Sequence, residues 1–226
     1  QKYGRDLTIP DTWDEFRDIA AFFHRPDQKQ YGCTLLTGRG YDSLTMGYQM
    51  FMWAFGGAWG DLQTHQVKGY VNIDACIVAL NFLKDLLQFA PPGATNFDYF
   101  KAFEAFSNES TAMSLNYFAF YPGLTKQFGN KVGFFKVPRV GDKKTVKLGD
   151  QEFQITTAGK RVVSLGGQGF SISKKTTPER QAIAKKFIAW FLQTDIQKEW
   201  VKKDAGFTAN TEILSSEAFK TMTPYN

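Results

Sequence analysis

Hydrophobic and polar positions along the chain follow two different periods, and each period predicts its own kind of element. Apolar residues recur every three or four positions in several stretches, which predicts helices at residues 10–23, 43–55, 74–89, 97–106, 178–193 and 194–203. Short stretches typical of strands lie at residues 30–36, 111–115, 131–137, 162–165 and 170–173, with a hairpin expected around 152–157. Alternating helices and strands of this kind predict an α/β architecture.

Side-chain patterns refine the predicted helices. Thr12 with Glu15, and Thr176 with Glu179, have the spacing of a capping box, in which two side chains satisfy free N–H groups at a helix start. The third helix is expected to bury one apolar face, and several aromatic residues are expected in the core. The face consists of Ile77, Leu80, Leu83 and Leu87, and the aromatic residues are Trp53, Trp59, Phe100, Phe103 and Phe106.

The composition is that of a folded protein. Hydrophobic residues make up 43% and charged residues 22% of the 226 residues, which argues against intrinsic disorder. No apolar run is long enough to cross a bilayer as a helix. The aromatic share of 16% is high, so the chain uses many rings either in a core or in a binding face.

The charge is only mildly basic, at +5. Lysine pairs such as Lys143–Lys144 and Lys185–Lys186 fit a solvated surface better than a nucleic-acid tail, since no long block of like charge occurs. We therefore predict no nucleic-acid partner. A basic nucleic-acid scaffold stays the least favoured alternative.

The sequence lacks the motifs typical of enzymes and metal sites. The chain has no phosphate loop, no complete dinucleotide fingerprint and no His-Glu-x-x-His sequence. Two cysteines and two histidines do not provide a clustered four-ligand zinc site, so no catalytic residue, metal or cofactor is predicted. A pair of carboxylates distant in the chain remains compatible with a carbohydrate-active enzyme. Whether Cys33 and Cys76 form a disulfide is left open.

Two loops combine the residue types that bind sugars. Aromatic rings stack on the C–H faces of a sugar, while Asp, Asn, Gln and Arg side chains match its hydroxyl rim. Arg39, Tyr41 and Asp42 lie between the first predicted strand and the second helix, where ligands of α/β folds bind. Asn116, with the two aromatic residues after it, follows the predicted strand at 111–115 in the same topological position.

Four stretches in order resemble one family. They are Pro-Asp-Thr-Trp-Asp-Glu-Phe at 10–16, Met-Phe-Met-Trp-Ala-Phe-Gly-Gly at 50–57, Ala-Phe-Ser-Asn-Glu-Ser-Thr-Ala-Met at 105–113, and Leu-Gly-Gly-Gln-Gly-Phe-Ser-Ile-Ser at 165–173 with the helix after it. This order resembles the extracellular solute-binding proteins of ABC importers, in the sugar-binding cluster that includes maltose-binding protein. The likeness extends over almost the whole chain.

The resemblance implies a two-lobed periplasmic-binding-protein type II fold. One lobe would be largely complete (residues 1–137 and 206–226). The other would be incomplete, since residues 138–205 would cross the hinge and supply only one segment of it. The chain therefore resembles an internal fragment of a longer protein, without a signal peptide of its own.

The same resemblance implies a function and further site residues. A monomeric protein outside the cytoplasm would hold a sugar or polyol between its lobes and deliver it to the transmembrane permease subunits of an ABC importer. Tyr117 and Phe118 fall where the family places a stacking aromatic ring. Gly166, Gly167 and Gln168 match a segment near the cleft, although a tight turn between two strands explains them equally well.

Overall fold

The computed structural model describes residues 8–141, 145–148, 150–155, 159–164, 166–203 and 206–222. The chain divides into two compact units. Unit 1 comprises residues 1–117 and 135–164, and unit 2 comprises residues 118–134 and 165–226. These units differ from the lobes expected from sequence, which are residues 1–137 with 206–226 and residues 138–205. The expected lobes remain a prediction.

Unit 1 contains four helices and four strands among its described residues. The helices are α1 (Trp13–Phe23), α2 (Ser43–Ala54), α3 (Asp74–Leu87) and α4 (Tyr99–Ser107). The strands are β1 (Tyr31–Thr34), β2 (Thr111–Ser114), β3 (Thr145–Leu148) and β4 (Gln151–Gln154). The α/β character predicted from the sequence pattern is thus present in this unit.

The parallel pair of β1 and β2 sets the framework of unit 1. Cys33 pairs with Met113, and Thr34 pairs with Ser114 at the carboxyl end of both strands. The hydroxyl of Thr34 donates to that of Ser114 at 2.8 Å, which holds the register at this end. Because the strands are parallel, the loops that follow them leave from the same edge.

Helix α1 begins at the predicted capping box. The hydroxyl of Thr12 accepts a hydrogen bond from the Glu15 N–H, and the Glu15 carboxylate accepts one from the Thr12 N–H at 2.9 Å. Trp13 and Phe16 follow and are almost fully buried. The cap therefore directs both rings into the core.

Aromatic rings form the centre of the unit 1 core. The ring centroids of Trp13 and Phe51 lie 4.7 Å apart, and Phe82 lies 5.7 Å from Phe51. Trp53 packs against this core from its edge. Part of the high aromatic content is thus accounted for by packing.

The buried face of α3 is not the predicted one. Ile77 and Leu80 are 44% and 48% exposed, whereas Leu83 is buried. The face that enters the core is formed by Ala75, Cys76, Val78, Ala79, Phe82, Leu83 and Leu86. Since α3 has apolar residues on most of its sides, periodicity alone selected the wrong set.

Other residues expected in the core lie at its margin. Phe100 is 61% exposed and Trp59 is 42% exposed. Phe103 and Phe106 are half-buried. A short helix such as α4 buries only Ala102 fully, so its rings lie along the rim of the unit.

An ionic cluster joins the start of α1 to two later segments of unit 1. The Asp11 carboxylate accepts hydrogen bonds from Nε of Arg139 at 2.7 Å and from Arg161. Arg161 also donates to the carbonyl of Val137 at 2.6 Å. These guanidinium groups lower the pKa of Asp11, Arg139 being the main cause.

The regular secondary structure in the described residues of unit 2 is entirely helical. It contains α5 (Tyr121–Phe128), α6 (Pro178–Phe191), α7 (Thr194–Lys202), α8 (Thr211–Ser215) and α9 (Glu217–Met222). A small buried cluster contains Val201, Ile213 and Phe219, with Phe207 packed on it. The sequence pattern had predicted only α6 and α7 of these helices.

The start and the faces of α6 differ from expectation. Its N-cap is Thr177, whose hydroxyl accepts from the Arg180 N–H, so the predicted pairing of Thr176 with Glu179 is wrong. No residue of α6 is buried, and Ile183, Phe187 and Trp190 are about half to two-thirds exposed. The helix thus presents apolar side chains at the surface.

Several predicted strands are not formed. Residues 131–137, the described part of 162–165, and residues 170–173 have no strand pairing. Gly166, Gly167 and Gln168 therefore do not form a turn between two strands. The hairpin is present, but as β3 and β4, earlier in the chain than predicted, and residues 156–158 lie outside the described residues.

Candidate functional site

Three chain segments meet beyond the carboxyl ends of β1 and β2. The N–H groups of Thr37 and Gly38 both donate to the carbonyl of Phe97, at 2.9 and 2.7 Å. This brings the loop after β1 against the segment that starts α4. Leu115 donates to the carbonyl of Thr34, which carries the parallel pairing to the start of the loop after β2.

A row of tyrosine rings lies where these segments meet. The centroid of Tyr99 lies 6.4 Å from that of Tyr41 and 5.9 Å from that of Tyr117, both in edge-to-face geometry. Tyr99 also contacts Phe100 at 4.7 Å. The structure therefore brings together Tyr41 and Tyr117, which the sequence placed in separate loops, through a ring between them.

Tyr41 is the most exposed ring of the row. Its side chain is 84% exposed, and its backbone φ of 54° lies in the left-handed region. A non-glycine residue there costs roughly 1–3 kcal/mol. Strain of this kind concentrates at binding sites, where it fixes the direction of a side chain.

Asp42 lies beside this row at the start of α2. Its Oδ2 accepts a hydrogen bond of 3.5 Å from the Tyr117 hydroxyl. Its Oδ1 is buried and has no hydrogen-bond partner in the described part of the chain. A buried carboxylate oxygen without a partner is uncommon in folded proteins and marks this loop as unusual.

The environment of Tyr117 keeps its hydroxyl protonated. Burial, followed by the charge of Asp42, raises the pKa of Tyr117 to about 12. The phenol therefore stays a hydrogen-bond donor over the whole physiological range. A neutral hydroxyl next to a carboxylate provides both donor and acceptor for a polyhydroxylated molecule.

Asn116 has protein partners for both atoms of its amide. Its Nδ2 donates to the carbonyl of Tyr99 at 2.9 Å, and its Oδ1 accepts from the N–H of Tyr117 at 2.8 Å. Arg39, the remaining predicted residue of these loops, is exposed. The structure thus groups Tyr41, Asp42, Asn116 and Tyr117 closely.

The other predicted ligand residues belong to unit 2. Phe118 is 46% exposed and packs edge-to-face on Phe207 at 4.5 Å. Gly166, Gly167 and Gln168 are exposed, and a Cβ added to either glycine would meet no atom within 4 Å. Their glycine character is therefore not explained by close packing.

Sequence reasoning missed Tyr99. It is the first residue of α4, and the carboxylate of the N-cap Asp98 accepts from the Lys101 N–H at 2.8 Å. The sequence offers one signal for Tyr99. Asp98 and Tyr99 start a helix that leads directly into β2, one of the two paired strands, and this connection links Tyr99 to the strand pair that carries the site.

Metal and membrane features are not found in the part of the chain that the structure describes. There, no three His, Cys, Asp or Glu residues are grouped so that they could hold a metal ion. No helix within the same ranges combines the length and the apolar character required to cross a bilayer. Cys33 and Cys76 are buried free thiols, which answers the question of their pairing.

In α/β folds ligands bind beyond the carboxyl ends of parallel strands, which is where unit 1 carries these aromatic and carboxylate side chains. The profile of the bacterial extracellular solute-binding proteins matches residues 2–223. The chain belongs to this family. None of the curated proteins compared matches the chain significantly.

Solved structures share the fold at low sequence identity. Maltose-bound MalE3 of T. maritima superposes with a TM-score of 0.77 at 23% identity, over 99% of this chain and 53% of that chain. The ribitol complex of an ABC transporter solute-binding protein from Agrobacterium radiobacter K84 gives 0.75 at 21% identity, over 96% and 50%. A solute-binding protein from Agrobacterium vitis S4 with bound D-mannitol gives 0.68 at 22% identity, over 99% and 51%.

The chain spans about half the length of these solved chains. It has the two-lobed α/β fold of the solute-binding proteins, with one lobe largely complete and the other incomplete. The resemblance to this family that the sequence motifs indicated is confirmed.

Proposed function

We propose that this chain is the solute-binding component of an ABC importer that captures a sugar or related polyol. The observation that carries the proposal is the group of Tyr41, Tyr99 and Tyr117 beside Asp42 at the ends of β1 and β2. Family membership and solved structures bound to ribitol, D-mannitol and maltose support the same ligand class.

Each part of this group has a role that follows from its chemistry. The exposed face of Tyr41 covers the C–H face of the ligand, and the Tyr117 hydroxyl and Asp42 carboxylate match its hydroxyl groups. A hydroxyl that lacks a partner costs about 1–3 kcal/mol when it is buried, so the pattern of hydroxyls decides which polyol is accepted. The chain captures its ligand and does not transform it.

Location, oligomeric state and partner are proposed as well. The protein would work outside the cytoplasm, in line with the description of its family. It would act as a monomer and pass its ligand to the permease subunits of the importer. Arg39, Phe118, Gly166, Gly167 and Gln168 are proposed as further ligand residues. We also propose the domain division expected from sequence, in which residues 1–137 and 206–226 form one lobe and residues 138–205 cross the hinge and belong partly to the other lobe.

Isothermal titration calorimetry against ribitol, D-mannitol, D-tagatose and maltose tests this function. We expect saturable binding of at least one of them. Tyr41→Ala should weaken it by about tenfold or more, since a stacked ring contributes roughly 0.5–1.5 kcal/mol beyond the apolar area it covers. Phe22→Ala, at an exposed ring of α1 outside the site, is the matched control and should leave affinity unchanged. No heat with any of these compounds would refute the ligand class.

A further inference from the structure

Asn116 occupies a special position among the candidate site residues, because its amide bonds to the backbone of both residues that carry the inner rings. Its Nδ2 reaches the carbonyl of Tyr99, at the start of α4, and its Oδ1 reaches the N–H of Tyr117, in the loop after β2. Both distances, 2.9 and 2.8 Å, are those of well-formed hydrogen bonds. The Nδ2 bond therefore ties the loop after β2 to the start of α4, while the Oδ1 bond to the next residue fixes the amide on its own backbone.

The tie between these two segments determines how the rings meet. Tyr99 and Tyr117 lie 5.9 Å apart in edge-to-face geometry, and Tyr99 in turn contacts Tyr41. A shift of the Tyr99 backbone relative to Tyr117 would alter both ring contacts at once. The Tyr117 hydroxyl, which bonds Asp42, would move with it.

We propose that Asn116 is a positioning residue for the sugar or polyol site. Its amide holds Tyr99 and Tyr117 in the arrangement that receives the ligand, and it acts through these two residues and not by touching the ligand. The inference rests on the proposed function, and it assigns Asn116 a different role from the ligand contact expected from sequence.

Two substitutions separate the two hydrogen bonds. Asn116→Asp keeps an oxygen that accepts from the Tyr117 N–H but loses the donor to the Tyr99 carbonyl. Asn116→Ala loses both. With whichever of ribitol, D-mannitol, D-tagatose and maltose the wild-type chain binds in calorimetry, we expect Asn116→Asp to weaken the affinity about threefold to tenfold and Asn116→Ala to weaken it by about tenfold or more.

A double-mutant cycle with Tyr99→Ala distinguishes positioning from general destabilisation. Without the Tyr99 ring, the Nδ2 bond no longer orients one of the two rings through which Asn116 acts, so Asn116→Asp should then weaken affinity by a smaller factor than in the wild-type background. The melting temperature should still fall in both backgrounds, since the hydrogen bond from Asn116 to the Tyr99 carbonyl is lost in each. Thermal unfolding also confirms that the variants are folded when binding is measured.

Each outcome decides one point. An equal loss of affinity with and without the Tyr99 ring would overturn the positioning role, and so would unchanged affinity in both Asn116 variants. A wild-type chain that binds none of ribitol, D-mannitol, D-tagatose and maltose would instead refute the proposed function, together with the role assigned here.

Discussion

The hydroxyl of Tyr117 lies 3.5 Å from Oδ2 of Asp42, although the two residues are 75 positions apart in the sequence. The contact exists because β1 and β2 are parallel and release their following loops at the same edge. It couples a phenol and a carboxylate at the centre of the candidate site.

This contact predicts a change in the ionisation of Tyr117. Asp42→Asn removes a negative charge that opposes formation of the phenolate, so the pKa of Tyr117 should fall from about 12 while burial keeps it above the ordinary tyrosine value. Tyrosinate absorbance measured against pH follows the titration, and Tyr117→Phe in each background identifies the contribution of this residue. An unchanged titration in Asp42→Asn would show that burial alone raises the pKa.

Two leucines of α3 should contribute very unequally to stability. Leu86 is 0% exposed and Leu80 is 48% exposed on the same helix. Leu86→Ala should lower the free energy of unfolding by about 2–5 kcal/mol, because it opens a cavity in the core. Leu80→Ala should change it by about 0.5 kcal/mol or less. Urea unfolding followed by tryptophan fluorescence measures both, and similar losses would contradict the buried face described for α3.

Gly47 permits the close approach of α2 to the start of the loop after β1. A Cβ at this position would overlap the carbonyl oxygen of Leu36, which is backbone and cannot turn away. Gly47→Ala should therefore destabilise the protein by about 1–3 kcal/mol. Gly40→Ala is the control, since a Cβ there meets nothing within 4 Å. Equal melting temperatures for the two variants would argue against this packing.

Cys33 is expected to be chemically inert in the folded protein. Its side chain is 0% exposed, and burial raises the pKa of the thiol to about 12. In a Cys76→Ser variant, which leaves Cys33 as the single thiol, iodoacetamide should not react at neutral pH until denaturant is added. Rapid alkylation of the native variant would show that this part of the core opens.

Local signals in the sequence predicted much of unit 1. The capping box of Thr12 and Glu15 depends only on residues three apart, so it could be found without a structure. The loops after β1 and β2 were identified because strand ends carry ligand residues in α/β folds. Their proximity then followed from the parallel pairing.

The errors arose where non-local contacts decide the outcome. The role of Tyr99 depends on hydrogen bonds between the segments of Gly38 and Phe97, which no local pattern reveals. On α3, apolar residues on most sides left the buried face to be chosen by packing. A stretch such as residues 131–137 has strand-like composition, but without strand pairing it stays irregular.

The most direct test of the central claim is an NMR titration of the chain, labelled with ¹³C in its tyrosine rings, against D-mannitol and maltose. If the row of tyrosines beside Asp42 binds sugar or polyol, the ring signals of Tyr41, Tyr99 and Tyr117 should shift together and saturate with at least one ligand. The signal of Tyr70, which bonds Asp61 elsewhere in unit 1, should not move. Unchanged signals from all three rings at saturating ligand, or shifts confined to other tyrosines, would contradict the account.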